Sequence, residues 1–560
     1  MYGSPSAAPT VPTIPHLLLA RATTDAARAA LISPHQGRFR TETWGELLAD
    51  VRRYAVGLFL QGIRPGDRVA QYSENRREWI LLDLAIQLAQ AVHVPIHAPL
   101  TGVQVAEQVT DSGATALFLS NQELALKLHA AAALFPQGIR IFSHEPVDLP
   151  PGGRIVERWE EVARPDEALA DRLTSDCLAR LQADSLATIL YTSGTTGEPK
   201  GVMLNQRNLV SNVLGTIEAM GVSRDDLRLG FLPLSHIFAR TCDLYTWIGA
   251  GSRFALATSR ETVVADCRRL HPTILNGVPY FFQLLQRALE SQGQADRPGA
   301  LRELLGGQIR ICCSGGAALP DHLFDYFQSQ QVPLLQGYGL TESSPVITVS
   351  SPAAVRRSAV GRPIQEVQVR IANDGEILTR GPHVMVGYWN KPEATAEIIQ
   401  DGWLHTGDIG RLDDDGYLYI TGRKKELIVT AAGKNIAPVK IESLLTEDPL
   451  ISQAMVIGDD RSYLTALIVP EVNQLLERLG SGGEAVDPSQ LRDDPRLRDL
   501  LASVLQQRLS NLSHHEQIRK FAIIERPFSI ESGELTPKLS LKRKVIEQNY
   551  AAQIDAMYQR

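Results

Sequence analysis

Residues Tyr191 to Gly201 read YTSGTTGEPKG and directly follow a short apolar run, Leu186 to Leu190. Glycine has no Cβ, so it lets the chain turn with positive φ and brings successive backbone N–H groups close to phosphate oxygens. The hydroxyl residues add hydrogen-bond donors, and the lysine adds a mobile positive charge of the kind that binds phosphate. The stretch therefore predicts a polyphosphate-binding loop formed by Thr192, Ser193, Gly194, Thr195, Thr196, Gly197 and Lys200.

This loop differs from the P-loop pattern GxxxxGK[ST], because its two glycines are three apart and no Ser or Thr follows Lys200. A polar turn between two strands is the alternative, since Gly, Ser and Thr favour such turns for backbone reasons alone. A turn does not require a whole run of residues that all suit phosphate. The run from Tyr191 to Gly201 does suit it throughout, which favours nucleotide binding.

A second motif, QGYGLTES from Gln336 to Ser343, follows the apolar segment Val332 to Leu335. Its glycines are therefore expected at the carboxyl end of a strand, where open α/β sheets bind their ligands. An aromatic ring stacks on a base and a carboxylate binds Mg²⁺. The alternative is a helix N-terminus, with Thr341 as its cap. Agreement with the first motif favours binding by Gly337, Tyr338, Gly339, Thr341 and Glu342.

Two weaker signals lie between these motifs. SGGAAL, from Ser314 to Leu319, places Gly315 and Gly316 where backbone would approach a ligand closely, although a simple strand-to-helix turn explains it too. In LPLSHIFAR, His236 starts a helical pattern and has the chemistry to orient a substrate carboxylate. A lone histidine is also common in partly buried turns, so the residues alone leave both interpretations open.

The C-terminal part adds a carboxylate, a guanidinium and a basic run. Asp408 ends the tripeptide TGD and is followed fifteen residues later by Arg423. A carboxylate accepts hydrogen bonds from both hydroxyls of a ribose, whereas the alternative is a weak surface ion pair. The run ELTPKLSLKRK, from Glu534 to Lys544, is by itself equally compatible with a solvated helix start.

Together these motifs resemble those of the AMP-forming adenylating enzymes, which include acyl-CoA synthetases, luciferases and the adenylation domains of peptide synthetases. The resemblance extends from about Ile14 to the end of the chain, and DGWLHTGDIGRLDDDGYLYITGRKKELI matches the family residue by residue. It implies that Glu342 binds Mg²⁺, that Asp408 and Arg423 bind the ribose, and that His236 lies near the acyl carboxylate. It further implies an interdomain hinge at Lys425 and a coenzyme A-side loop, AAGKNI, around Gly433.

The resemblance also implies a catalytic lysine near the C-terminus. The usual family form is close to PxTxSGK, and its alignment places Lys542 at the lysine position, with Leu541 in place of the glycine. Lys538 is the alternative. The same deviation is typical of the long-chain fatty acyl-CoA synthetase branch. The resemblance thus implies catalytic roles for Lys542, His236, Glu342 and Thr195.

The implied reaction has two steps and uses ATP, Mg²⁺ and coenzyme A. A fatty acid first forms an acyl adenylate with release of pyrophosphate, and the thiol of coenzyme A then displaces AMP after the C-terminal domain has rotated. The alternatives are an acyl-AMP ligase that loads a carrier protein, a ligase for aryl or medium-chain acids, and a nucleotide-binding regulator without catalytic activity.

Length, charge and cysteine content indicate the number of domains, the class of partner and the cellular compartment. The 560 residues suggest two or more domains, and a net charge of −7 gives a nucleic-acid partner no electrostatic support. Five cysteines without CxxC spacing favour a reducing compartment. The N-terminus has no signal-peptide pattern, and Trp79 to Ile96 is too polar to span a membrane. A cytoplasmic protein is expected, with peripheral membrane contact and an oligomer left open.

The order of patterns predicts an α/β fold. Strand patterns at Arg68 to Tyr72 and Val92 to Ile96 enclose a helical pattern, and this order is typical of a βαβ unit. We expect a large N-terminal domain of stacked mixed or parallel sheets with helices over residues 1–422, including an antiparallel β subdomain over about 361–422. A small, mobile α+β C-terminal domain is expected over residues 423–560.

Overall fold

The computed structural model describes residues 12–150, 156–193, 198–431, 434–478, 494–529, 531–535 and 541–559. Its internal contacts divide the chain into two units. The first unit comprises Met1–Arg370, Leu378–Thr406 and Asp413–Leu418; the second comprises Ile371–Ile377, Gly407–Leu412 and Tyr419–Arg560. The chain therefore passes from one unit to the other repeatedly between Arg370 and Tyr419, within the predicted β subdomain.

A nine-stranded sheet of the first unit carries two of the predicted motifs. Its six central strands pair in parallel, and the strands at both edges pair antiparallel. SGGAAL begins at the last residue of the strand Ile311–Ser314, and QGYGLTES begins within the neighbouring strand Leu334–Gly339, where the parallel pairing of the two strands ends at Gln336. The strand order is Arg362–Pro363, Val346–Val349, Leu334–Gly339, Ile311–Ser314, Ile274–Gly277, Leu227–Gly230, Arg253–Leu256, Ala29–His35 and Arg38–Thr43.

An eight-stranded sheet of the same unit carries the phosphate-loop motif. Six of its strands pair in parallel, whereas the two strands at one edge pair antiparallel. The order is Gly387–Tyr388, Pro199–Asn205, Leu186–Ser193, Val92–Ile96, Arg68–Tyr72, Ala116–Leu119, Arg140–Ser143 and Val156–Arg158.

Helices cover these sheets, and their ends follow local sequence rules. The side chains of Thr43 and Thr101 cap helices by accepting the N–H of the third helical residue, and Gly113 and Gly221 end helices in the left-handed conformation. The helices are Ile14–Thr24, Trp44–Leu60, Arg77–Leu88, Gly102–Ser112, Gln122–His129, Trp159–Val162, Glu167–Arg180, Gln206–Met220, Ile237–Ala239, Thr246–Ala250, Val263–Leu270, Pro279–Ser291, Ala300–Leu304, Asp321–Ser329 and Pro392–Ile398; short 3₁₀ or π turns span Ala132–Leu134, Arg240–Tyr245 and Thr341–Ser343.

One apolar core joins the two large sheets. It contains Leu31 and Phe254 from the nine-stranded sheet and Val69 and Val202 from the eight-stranded sheet. The helix Arg77–Leu88 is buried at every position from Trp79 onward, as expected for a helix enclosed on all sides. The sheets are therefore held at a fixed spacing, which fixes the relative positions of the loops at their strand ends.

Five further strands between residues 368 and 423 form a sheet: Gln368–Ile371, Glu376–Arg380, Trp403–Leu412 and Ile399–Gln400 in that order, with Leu418–Arg423 paired to Trp403–Leu412. The second unit contains the strand pair Ile428–Val429 and Asn435–Ile436, and a three-stranded sheet of Ile451–Ile457, Leu464–Pro470 and Ile518–Ile523. Its helices are Pro438–Thr446, Val472–Arg478, Pro495–Arg508, Arg543–Asn549 and Ala551–Tyr558, with 3₁₀ turns at Lys424–Glu426 and His514–Glu516.

The α/β class expected from the sequence is confirmed. Two short strands within the expected β subdomain, Arg362–Pro363 and Gly387–Tyr388, pair at the edges of the two large sheets. Adjacent Cys312 and Cys313 are buried and pack in separate apolar clusters, because successive strand residues face opposite sides. None of the described helices is long and apolar enough to span a bilayer.

Candidate functional site

The predicted phosphate loop joins two antiparallel strands. Thr192 pairs with Lys200 and Ser193 with Pro199, so the strands Leu186–Ser193 and Pro199–Asn205 form a hairpin. We call it the phosphate hairpin. A simple polar turn between two strands would have the same position in the chain. The position alone therefore does not distinguish a phosphate-binding loop from such a turn. Four predicted contact residues lie outside the described part of the chain: Gly194, Thr195, Thr196 and Gly197.

A tyrosine that sequence reasoning missed joins the phosphate hairpin to the predicted magnesium ligand. Nζ of Lys200 lies 5.0 Å from the ring centroid of Tyr388, close enough for a cation–π contact. The Tyr388 hydroxyl donates a 2.7 Å hydrogen bond to Oε1 of Glu342. Burial, together with the negative charge of Glu342, raises the pKa of Tyr388, so its hydroxyl keeps its proton and remains a donor.

The QGYGLTES motif forms a sharp turn that needs one of its glycines. A Cβ built on Gly339 would lie 1.7 Å from the carbonyl oxygen of Pro345, a distance that no side chain tolerates. A Cβ on Gly337 would make only ordinary contacts, the nearest at 3.6 Å. The side chain of Tyr338 is largely buried, and Thr341 begins the 3₁₀ turn that contains Glu342. The turn therefore fixes where the Glu342 carboxylate is presented.

The structure brings the SGGAAL loop and the segment of His236 together. A Cβ on Gly315 would lie 3.0 Å from the ring of Phe238, two residues after His236, so the SGG loop packs against the histidine segment. Gly316 has a φ of +80°, which favours glycine. Gly315 therefore meets a packing requirement against the histidine segment, and Gly316 meets a backbone requirement.

His236 precedes the helix Ile237–Ala239 and caps it. Its Nδ1 accepts a 3.2 Å hydrogen bond from the N–H of Phe238, so the neutral ring carries its proton on Nε2. The ring of His97 stacks on it, with centroids 6.1 Å apart and an angle of 20° between the planes. His97 carries no motif that sequence reasoning could have recognised, because it reaches His236 only through the fold.

In the second unit, Asp408 and Arg423 form the predicted pair. Nε of Arg423 lies 2.8 Å from Oδ1 of Asp408, whose side chain is 5% exposed, whereas that of Arg423 is 52% exposed. A buried carboxylate with a charged donor differs from the loose surface pair of the alternative interpretation. The arrangement provides an oriented acceptor for hydroxyl groups.

Glu376, which sequence reasoning missed, orders the chain on both sides of this pair. Its Oε1 accepts a 2.9 Å hydrogen bond from the N–H of Gly407, and its Oε2 lies 3.0 Å from Nζ of Lys424. Lys424 also binds Asp374 at 2.6 Å, and hydrogen bonds to Asp374 and Glu376 raise its pKa. The predicted hinge residue, Lys425, is exposed in the 3₁₀ turn Lys424–Glu426.

The predicted catalytic lysine lies at the start of the helix Arg543–Asn549. Lys542 is exposed, and its N–H donates a 2.8 Å hydrogen bond to the carbonyl of Glu534. Leu535 and Leu541 form an isolated antiparallel bridge. The alternative, Lys538, and the coenzyme A-side Gly433 both lie outside the described residues.

Glu342 is the carboxylate that Tyr388 joins to the phosphate hairpin. The described residues contain no group of three or more His, Cys, Asp or Glu side chains arranged to hold a metal ion. Mg²⁺ in phosphoryl-transfer sites uses one or two carboxylates together with substrate phosphates. Glu342, joined through Tyr388 to Lys200, fits that donor set.

Comparison with known proteins matches two family models to the chain. Residues 18–389 match the model described as AMP-binding enzyme, and residues 425–560 match the model of the AMP-binding enzyme C-terminal domain. The chain belongs to the AMP-binding enzyme family. The family resemblance inferred from the motifs is thereby confirmed.

Among its relatives is "Long-chain-fatty-acid--CoA ligase FadD15" of Mycobacterium bovis, 35% identical over 561 residues and covering 92% of each chain. Among solved structures, ATP-bound MatB from Rhodopseudomonas palustris has a TM-score of 0.75 at 25% identity, covering 96% of this chain and 98% of that one. The anthranilate CoA ligase AuaEII with anthranoyl-AMP has a TM-score of 0.78 at 19% identity, covering 99% of this chain and all of that one, which shows the shared fold.

Proposed function

We propose that this protein activates a long-chain fatty acid with ATP and transfers the acyl group to coenzyme A, releasing AMP and pyrophosphate. The chain of contacts from Lys200 through Tyr388 to Glu342 carries the proposal, because it joins a phosphate hairpin to a metal-binding carboxylate. The relative named as a long-chain fatty acid–CoA ligase, which matches 92% of this chain, supports the choice of acid and of thiol.

In the first step an oxygen of the substrate carboxylate attacks the α-phosphorus of ATP, and the bond to pyrophosphate breaks. Nε2–H of His236 is a suitable donor to orient that carboxylate, since Nδ1 is already occupied. Mg²⁺ on Glu342 would supply charge neutralisation for the phosphates. Lys200 of the phosphate hairpin, together with Thr195, would hold the β- and γ-phosphates as they leave.

Other predicted residues complete the nucleotide site. Tyr338, with Gly315, Gly316, Gly337, Gly339 and Thr341, would border the adenine and the acyl adenylate. Asp408 would accept hydrogen bonds from the ribose hydroxyls, with Arg423 holding the carboxylate. The 2.8 Å contact between these two side chains supports that assignment.

We further infer domain alternation between the two steps. Residues 1–422 would form the large domain and residues 423–560 a lid that rotates at Lys425, exchanging Lys542 for the loop around Gly433. Support comes from the two separate family models, which match residues 18–389 and 425–560. The exposure of Lys542 and Lys425 in the second unit is compatible with that role.

The proposal is tested with a panel of saturated acids of graded chain length, each supplied with Mg·ATP and coenzyme A. We expect AMP release with long-chain acids that depends on both the acid and coenzyme A. A peak at aryl or medium-chain acids would change the acid class, and AMP release only with a carrier protein that bears a free thiol would contradict the choice of coenzyme A. Absence of acid-dependent AMP or pyrophosphate release would support the non-catalytic alternative.

Cytoplasmic location with peripheral membrane contact is also proposed. The basic run from Lys538 to Lys544 has the charge to bind anionic lipid, at about 1 kcal/mol per lysine or arginine near the surface. Co-sedimentation with phosphatidylserine vesicles at low and high salt tests this contact. Salt-insensitive or absent binding would contradict it.

A further inference from the structure

Directly after His236 the chain forms one π-helical turn, Arg240–Tyr245, whose six residues are all buried. Turns of this kind are rare and often occur at functional sites. The N–H of Arg240 donates a 3.1 Å hydrogen bond to the carbonyl of His236. The backbone of Arg240 is therefore fixed to the residue that we propose binds the substrate carboxylate.

The side chain of Arg240 reaches the strand that leads into the phosphate hairpin. Its Nη1 donates a 2.7 Å hydrogen bond to Oγ1 of Thr188, and this hydroxyl donates at 2.7 Å to the carbonyl of His93. Thr188 lies in the strand Leu186–Ser193, four residues before Thr192. One guanidinium thus connects the histidine segment with the hairpin strand.

Asp83 balances the charge of Arg240 in a wholly buried pair, in which both side chains are 0% exposed. It also contacts Nδ1 of His93 at 2.7 Å and accepts a 2.9 Å hydrogen bond from the Tyr245 hydroxyl. Burial acts to raise the pKa of Asp83, but Arg240 and these hydrogen bonds outweigh burial and lower it. The carboxylate therefore stays ionised beside Arg240.

A second buried pair, Asp243 of the turn and Arg228, holds the same turn from its other side. Oδ1 of Asp243 accepts a 2.7 Å hydrogen bond from Nδ2 of Asn276, and Arg228 donates at 2.7 Å to the carbonyl of Cys242. Arg228 and Asn276 belong to strands of the nine-stranded sheet. The π-helical turn is thus bonded to both large sheets, between the motifs that they carry.

A contribution to stability does not by itself explain such a network, because a buried ion pair can often be replaced by apolar side chains without loss of folding stability. Directional hydrogen bonds instead hold groups in one geometry, and a misplacement of about 1 Å reduces an enzymatic rate about 100-fold. We propose that Arg240, held by Thr188 and Asp83, is a positioning residue that fixes His236 relative to the phosphate hairpin and so aligns the carboxylate with the α-phosphorus. This inference rests on the proposed function.

The test measures acid-dependent ATP–pyrophosphate exchange in Thr188→Val and Arg240→Lys. Valine matches threonine in shape but removes the hydroxyl, and lysine keeps the charge but loses the planar fork. We expect kcat for exchange to fall about 10- to 100-fold while the KM for ATP stays within about threefold. Thr188→Ser, which restores the hydroxyl, should recover most of kcat.

Thr241→Val is the matched control, because Thr241 lies in the same turn, is fully buried, and its Oγ1 has no hydrogen-bond partner among the described residues. It should keep the kcat of the unchanged protein. Equal losses in Thr188→Val and Thr241→Val, or a kcat within twofold in folded Thr188→Val, would overturn the positioning role. Exchange activity absent from the unchanged protein with every acid would instead overturn the proposed function.

Discussion

The hydroxyl of Tyr388 donates a 2.7 Å hydrogen bond to Oε1 of Glu342, and its ring lies against the ammonium group of Lys200. The contact depends on the short strand Gly387–Tyr388, in which Tyr388 pairs with Val202 of the phosphate hairpin. A single aromatic side chain thereby sets the spacing between Lys200, the proposed phosphate-binding cation, and Glu342, the proposed metal ligand.

Replacement of Tyr388 by phenylalanine should weaken the use of Mg·ATP. A hydrogen bond to a charged group contributes about 1.5–3 kcal/mol, so we expect kcat/KM for Mg·ATP to fall about 10- to 100-fold. The concentration of Mg²⁺ for half-maximal activity should rise as well. Tyr417→Phe is the control, because the Tyr417 hydroxyl donates to the carbonyl of Ala354. An unchanged Mg²⁺ dependence in Tyr388→Phe would argue against the role of this contact.

Asp408→Asn should reduce discrimination between nucleotides by their ribose hydroxyls. The buried carboxylate accepts hydrogen bonds, whereas an amide offers one acceptor and two donors. We expect the Kd for AMP to rise about 10-fold or more, and ATP to lose most of its advantage over 2′,3′-dideoxy-ATP. Asp415→Asn, at an exposed position that pairs with Arg356, should leave both quantities unchanged. Retained discrimination in Asp408→Asn would disprove the ribose assignment.

Gly339→Ala should destabilise the first unit, because its Cβ would lie 1.7 Å from the Pro345 carbonyl oxygen. Overpacking of this kind costs about 1–3 kcal/mol and sometimes more. Gly337→Ala is the matched control, since its nearest contact would be an ordinary 3.6 Å. Urea unfolding followed by tryptophan fluorescence measures both. Equal midpoints for the two variants would contradict the packing argument.

Lys542→Ala should separate the two half-reactions. The positive charge is assigned to the adenylation step, and removal of one such electrostatic contact lowers kcat about 100- to 1,000-fold. Thiolysis of added acyl adenylate by coenzyme A should persist, since the lysine would be withdrawn by then. Exchange and thiolysis assays on the same preparation measure both rates. Unchanged adenylation in Lys542→Ala would refute the assignment and direct attention to Lys538.

Acid should destabilise the first unit through His144. This ring is buried among aromatic side chains, and neither nitrogen has a hydrogen-bond partner among the described residues. Burial, helped by the charge of Arg76, lowers its pKa to about 3. Below about pH 6.5, the ordinary pKa of histidine, the unfolded chain binds a proton that the folded protein does not bind. The contribution of His144 to the free energy of unfolding is therefore fully present above that pH and is lost as the pH decreases towards 3.

For His144 alone, we expect the free energy of unfolding to fall by about 2 kcal/mol between pH 7 and pH 5. His144→Phe should remove that part of the acid sensitivity and leave stability at pH 7 nearly unchanged. Tryptophan fluorescence during urea unfolding measures it, because all six tryptophans lie in the first unit. An equal loss between pH 7 and pH 5 in both proteins would show that other groups cause the acid sensitivity.

Sequence reasoning succeeded where local chemistry decides the structure. The strands Arg68–Tyr72 and Val92–Ile96 have the predicted bounds, because apolar and β-branched runs with polar turns at both ends specify strands locally. Strand ends are less exact: the apolar segment before QGYGLTES is Val332 to Leu335, whereas the strand runs from Leu334 to Gly339 and includes both glycines of the motif. Such ends depend on hydrogen bonds to neighbouring elements, which the sequence does not display.

The sequence by itself determined the family, the α/β class and the residue types that suit a nucleotide, since each motif is a continuous stretch whose chemistry can be read locally. Tertiary structure alone decided that Tyr388 contacts Glu342, that Gly315 packs on the His236 segment and that Arg240 bonds to Thr188. These partners are far apart in the chain. Their contacts exist because sheet pairing and a shared core bring distant strands to fixed positions, and spacing in a single sequence carries no record of that pairing.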